Sequence, residues 1–311
     1  MADLSKIIDF SKMDETTAAF FKQIVKMIPH SKMHEDTEIT PENIFQPAHI
    51  ANRDCLYEMT KETQLEGSTI LGTDNLIKLS QLAASGKSCI ILSEHVSNFD
   101  VPCMFVRFYD YPDNKIKEIF EKIIFVAGVK LNENPVVKLF TEMFTRIVIY
   151  PARSLVKLQD NEEYKKEIEL AKKINLRATR KIKELRNQGN IFLMYPAGTR
   201  YRPWLPDTKK GIKETASYLN SFDYFCCASI NGNNMPPMEH EDMIKETIQK
   251  DVVVFSFGEV KSAKEYIQSI NQKNSESGGE NSKQFIVDSI MNEIDILHDK
   301  AEEYRSKYIK K

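Results

Sequence analysis

The stretch Ser93-Glu94-His95-Val96-Ser97-Asn98-Phe99-Asp100 follows directly on the apolar run Cys89-Ile90-Ile91-Leu92. A histidine at the carboxyl end of a strand and a carboxylate five residues later, across a turn entering the next helix, can lie within hydrogen-bond reach of each other. That is the arrangement of a general base and its orienter. An imidazole with an ordinary pKa near 6.5 accepts a hydroxyl proton at neutral pH, and the carboxylate fixes its tautomer and stabilises the imidazolium. No serine or cysteine nucleophile is then required. The plainer alternative is that His95 caps a helix and Asp100 makes a surface contact, since two residues at a fixed spacing match often by chance.

A second constellation is Tyr195-Pro196-Ala197-Gly198-Thr199-Arg200-Tyr201-Arg202-Pro203, which follows the apolar run Ile191–Met194. In a parallel sheet it emerges on the same edge as His95, where such folds bind ligands. Two arginines one residue apart, beside a glycine whose bare backbone allows close approach, suit a phosphate through forked, charge-assisted hydrogen bonds. Taken alone, Arg-x-Arg is more often a solvated loop. A third run, Ile147–Tyr150, delivers Pro151-Ala152-Arg153, again a cation at a strand end.

Runs resembling Cys89–Leu92 occur at Ile123–Ala127, Arg146–Tyr150, Ile191–Tyr195, Phe225–Ile230 and Val252–Phe257. Each is continuous rather than alternating, as in strands buried on both faces. Helical patterns at Val101–Tyr109, Pro135–Phe144, Glu162–Asn187 and Gly211–Leu219 separate most of them. The alternation predicts an α/β fold with a mostly parallel mixed sheet flanked by helices. Residues 1–75 read instead as a small N-terminal helical bundle domain ahead of a catalytic domain over 76–311. In it Ala18, Phe21, Ile24, Val25 and Ile28 recur at helical spacing behind Asp14, and Thr40-Pro41 opens a second helix that Pro47 can break. Residues 274–282 read as a polar loop, and Lys283 to about Lys307 as a terminal helix.

The 311 residues carry 43 Lys+Arg against 45 Asp+Glu, a formal net charge of −2, so no global field steers the chain to nucleic acid and any anion site must be local. Cys55, Cys89, Cys103, Cys226 and Cys227 form no CxxC pair and read as free thiols in a reducing, cytoplasmic compartment. The longest apolar stretches fall far below the ~20 residues that cross a bilayer, and the first residues lack a signal peptide's apolar core. Contact with a membrane is therefore expected to be peripheral at most. His30 and His34 share a helical spacing but have no Glu or Cys in pattern, so no metal site is expected.

Taken together the blocks resemble the glycerolipid acyltransferase superfamily, whose ordered motifs are an H-x4-D, a basic block, an E/P-G-T-R block and a later strand ending near proline. Here these are His95–Asp100, Ile147–Arg153, Pro196–Arg200, and Phe225–Ile230 leading to Met235-Pro236-Pro237. The likeness covers residues 88–238. Within the superfamily the Pro-x-Gly-x-Arg-x-Arg-Pro form is most similar to the soluble glycerol-3-phosphate acyltransferases of plant plastids and bacteria. The resemblance implies that His95 deprotonates the sn-1 hydroxyl of glycerol 3-phosphate while Asp100 orients it. It implies that Arg153, Arg200 and Arg202 hold the phosphate, with Gly198, Thr199 and Tyr150 lining the site. The acyl donor would be a thioester of acyl-carrier protein or coenzyme A, with no metal or redox cofactor. The sequence departs from the plastid pattern in two places: Ala197-Gly198-Thr199 carries the membrane enzymes' Gly-Thr, and Pro151-Ala152-Arg153-Ser154 keeps one base where plastid relatives carry a cluster.

Two other readings stay open: a lysophosphatidate acceptor with the same chemistry, and a catalytically silent module that binds phosphate or lipid headgroups. Lys209-Lys210-Gly211 is a candidate contact for an anionic acyl carrier, against an ordinary helix start. Trp204-Leu205 is a candidate rim for an acyl or membrane-facing mouth, against a loop anchor.

Overall fold

The computed structural model of the protein describes residues 10–32, 38–132, 135–158, 164–239, 246–276, 279 and 282–309. In chain order its strands are β1 (Phe45–Gln46), β2 (Thr69–Leu71), β3 (Cys89–Ser93), β4 (Ile123–Gly128), β5 (Arg146–Ile149), β6 (Ile191–Met194), β7 (Tyr224–Asn231), β8 (Val254–Phe257) and β9 (Lys261–Ser262). The longer helices are α1 (Glu15–Met27), α2 (Arg53–Lys61), α3 (Thr73–Ala84), α4 (Asp100–Tyr109), α5 (Asn114–Glu121), α6 (Pro135–Thr141), α7 (Ala152–Leu158), α8 (Lys165–Leu185), α9 (Glu214–Leu219), α10 (Ala263–Glu276) and α11 (Ser282–Arg305).

The continuous apolar runs become the middle of one α/β sheet, because only a strand covered on both faces can bury every side chain. Every residue of β3 and β6 is buried. The strand order is β1-β5-β4-β6-β3-β7-β8-β2, with β9 paired to β7. From β5 through β7 neighbouring strands run parallel, while β1 and β8 are antiparallel to β5 and β7. The period of two divides the core accordingly. Cys89, Ile91 and Leu193 face Leu76, Met104 and Phe105 of α3 and α4, whereas Ile90, Leu92 and Phe192 face Ile174 of α8 and Val287 and Ile290 of α11.

The N-terminal segment differs from the expected separate bundle. Its helices α1 and α2 bury Phe20, Phe21, Ile24, Met27, Leu56 and Met59 in the same cluster as the central strands. The stretch after Thr40 opens no α-helix: Phe45 and Gln46 pair with Ile147 and Arg146, a single 3-10 turn follows at Ile50–Asn52, and the α-helix begins only at Arg53. Residues 69–71 supply the opposite edge through β8. A bundle would have to bury its own apolar stripes, and these are spent on the sheet's helical layer instead. Of the expected polar loop 274–282, residues 274–276 end α10 and Ser282 begins α11, while 277, 278, 280 and 281 lie outside the described residues. His34 lies outside them too. No described helix is long and apolar enough to cross a membrane. All five cysteines are free thiols, and burial pushes Cys89 up to about 12.

Candidate active site

β6, β3 and β7 are neighbours, so the loops at their carboxyl ends emerge side by side. Asp100 opens α4, where a carboxylate suits both the free backbone N–H groups and the helix dipole. Its Oδ2 accepts hydrogen bonds from Val96 N at 2.9 Å and Ser97 N at 3.2 Å, which closes the turn after β3. The same oxygen lies 2.7 Å from His95 Nδ1. An ionised carboxylate can only accept, so Nδ1 carries the proton and a neutral His95 presents a lone pair at Nε2. No described residue hydrogen-bonds Nε2, and the imidazole side chain is 20% exposed against 2% for Asp100. The imidazole is open to solvent and the carboxylate is not.

The phenol ring of Tyr195 stacks on the imidazole, with centroids 4.0 Å apart and planes 13° from parallel. Its hydroxyl is buried without a hydrogen-bond partner among the described residues, and burial together with the Asp100 charge holds it above the ordinary tyrosine range. The loop itself is tied down on three sides. Tyr201 N donates to His95 O at 2.9 Å, Ser97 Oγ to Met235 O at 2.8 Å, and Asn233 Nδ2 to Val96 O at 3.0 Å.

After β6 the chain turns at Gly198, which has a φ of +64° and donates its N–H to Tyr195 O at 2.9 Å. That left-handed turn sends Thr199–Arg202 back past the end of β3. Arg200 is buried, and its Nη1 meets Glu246 Oε1 at 2.6 Å. Arg202 Nη1 donates to Thr199 Oγ1 at 3.0 Å. Arg153 makes a different use of its guanidinium: Nε donates to Ala197 O at 3.0 Å, and Nη2 to Asp207 O at 3.1 Å and Lys210 O at 2.9 Å. β4 separates β5 from β6, a step of about 10 Å at the usual strand spacing, so Arg153 braces the outside of the arginine loop. Tyr150 is pinned to α8, its backbone by Asn175 and its hydroxyl by Glu167. The strand ends thus bring His95, Asp100, Gly198, Thr199, Arg200 and Arg202 together, with Arg153 and Tyr150 in a supporting ring around them.

Several contributors were not foreseen. Glu246 is fully buried, and its Oε2 accepts from Asn98 Nδ2 at 3.2 Å while Oε1 meets Arg200. Burial pushes its carboxyl up from the ordinary range, against the opposing pull of Arg200, Asn98 and Arg202. Glu94 points to the other face of the sheet, where Oε2 accepts from Ile230 N at 3.0 Å and faces His298 Nδ1 of α11 at 2.9 Å. Beside His95 a tight recess of about 10 Å³ is lined by Glu94, Tyr201, Lys209, Met291 and Asp295. Lys209 there is paired with Asp295 at 2.8 Å, and Lys210 with Asp207 at 2.8 Å. Leu205 is 52% exposed and Trp204 partly so. A larger groove of about 340 Å³ between α10 and α11 includes none of the strand-end residues. Among the described residues no three His, Cys, Asp or Glu side chains are grouped to hold a metal ion.

No family model matches the chain, and no curated protein matches it. The arrangement at the strand ends therefore carries the functional argument by its chemistry.

Proposed function

We propose that the protein is an acyltransferase that moves a fatty acyl group from a thioester to the sn-1 hydroxyl of glycerol 3-phosphate, giving lysophosphatidic acid. The observation that carries this reading is the His95 Nδ1 contact to the buried Asp100 carboxylate at 2.7 Å, with Nε2 left open beside two arginines on the neighbouring loop. Nε2 takes the hydroxyl proton as the oxygen attacks the thioester carbonyl. The imidazolium then returns that proton to the departing thiol as the tetrahedral oxyanion collapses. Asp100 stabilises the imidazolium between the two steps. A module that only binds phosphate has no need for such a pair, which supports an enzyme over a silent scaffold. The donor is acyl-carrier protein or coenzyme A.

The test offers the purified chain glycerol 3-phosphate or lysophosphatidate with each of the two thioesters, and follows release of free thiol. Acylation of aqueous glycerol 3-phosphate without added lipid is the expected result. Transfer to lysophosphatidate alone would change the acceptor, and no transfer to either would remove the enzyme reading.

A further inference from the structure

Arg200 is the deepest cation of the candidate site, and a carboxylate already faces it. Glu246 Oε1 lies 2.6 Å from Arg200 Nη1, and both side chains are within a tenth of complete burial. The second oxygen, Oε2, is held by Asn98 Nδ2, on the loop that carries His95. A carboxylate with both oxygens fixed this way has no freedom to turn from the guanidinium. The other N–H donors of Arg200 have no hydrogen-bond partner among the described residues. An anion arriving at those donors therefore meets Arg200 and Glu246 as a neutral pair, not as a cation. In a buried setting the carboxylate repels that anion nearly as strongly as the guanidinium attracts it.

We propose that Glu246 is a built-in counter-anion of the acceptor site, which shares Arg200 with the incoming phosphate and so sets how tightly that phosphate is held. The inference rests on the acyltransferase reading only for the identity of the anion. Its function is weak holding: an acceptor whose phosphate remains on the product must leave after each turnover, and a fully cationic cleft would retain it. Glu246 is a positioning and specificity-determining residue here, since it acts through Arg200.

The consequence is a ladder in which phosphate affinity follows the net charge of the pair. Inorganic phosphate is titrated calorimetrically into the full chain at fixed ionic strength, with no acyl donor present. Glu246→Gln, which leaves the pair at +1, should bind phosphate about tenfold more tightly than the native protein, equivalent to about 1.4 kcal/mol. Arg200→Gln, at −1, should bind about tenfold more weakly or not measurably. The double variant Arg200→Gln with Glu246→Gln, neutral again and free of unpaired buried charge, should return to within about threefold of the native affinity. A role limited to bracing the loop predicts the opposite sign for Glu246→Gln, weaker phosphate binding with a lowered melting temperature. That outcome, or a double variant as weak as Arg200→Gln alone, would overturn the inference. If Glu246→Gln fails to fold because Arg200 is left unpaired, the comparison of the double variant with Arg200→Gln still decides. Absence of phosphate binding by every form would also overturn it. The ladder requires no turnover: its presence without acyl transfer would leave Glu246 in this role and remove the acyltransferase reading, and transfer without the ladder would do the reverse.

Discussion

Four residues separate His95 from Asp100, and that closeness in sequence is why the pair was legible: strand, turn and helix start leave the two side chains little room to miss each other. Glu246 was not legible, because it stands 46 residues from Arg200 and 148 from Asn98, in a stretch without an apolar pattern. The role of Arg153 was hidden for another reason. Its partners are backbone carbonyls, which no side-chain pattern encodes. Replacing His95 by Ala should lower turnover by about 10²–10⁴-fold with the far-ultraviolet spectrum unchanged, the range for a positioned general base. Asp100→Asn should be comparably severe, since the amide cannot hold Nδ1 protonated against it as a carboxylate does. Near-native turnover by a folded His95→Ala protein would end the mechanism. Tyr195 supports a prediction of the opposite kind. Its hydroxyl is buried without a described partner, a state that costs roughly 1–3 kcal/mol, so Tyr195→Phe should keep the stacking on His95 and match or exceed the native melting temperature. A lowered midpoint would mean that the hydroxyl is bonded in solution.

At the scale of elements, the central strands were readable because burial on both faces demands an unbroken apolar run, and few other structures produce one. β1 and β9, of two residues each, and β2, of three, are too short to carry any period, while α5 and α10 open on caps, Asp113 and Ser262, that mark where a helix starts but not how far it runs. α11 covers β7 and β8 and is fastened to the loop end of β3 by His298 and Glu94. The hydrogen bond to Glu94 raises the His298 pKa above its usual 6.5, ahead of an opposing effect of burial. A histidine whose pKa is raised in the folded state contributes stability that is fully present below the unfolded value and lost as pH rises through the folded one. The native protein should therefore lose part of its stability advantage over His298→Gln between about pH 6 and pH 8.5, measured by urea denaturation at both values. A constant difference across that range would mean the pair is not charged when folded.

For the whole molecule, the boundary expected near residue 75 divides something that packs as one. Six side chains of α1 and α2 (Phe20, Phe21, Ile24, Met27, Leu56 and Met59) are buried in the core shared with α4 and the sheet. At about 1.5–3 kcal/mol for each, their burial is comparable to the roughly 5–15 kcal/mol of a whole protein's stability. A chain of residues 76–311 alone should accordingly be aggregated or molten, with no cooperative thermal transition. A sharp transition in that fragment would restore the two-domain reading. The sequence suggested a separate bundle because helical periodicity reports that a face is apolar without reporting what covers it.

The outermost strands of the sheet come from residues translated before any of its central ones. β2 waits for β8, about 185 residues later in the chain (Thr69 against Val254), and β1 for β5, about 100 later (Phe45 against Ile147). At the usual pace of translation, about 5–20 residues per second, β2 is out for roughly 10–40 s before its partner exists. During that interval the nascent chain displays α1 and α2 with their apolar stripes uncovered, and closing the sheet forms its longest-range contacts last. Newly made protein should thus depend on chaperone holding at the ribosome far more than its finished, charge-balanced surface suggests, and slowing translation after residue 75 should lower the soluble yield.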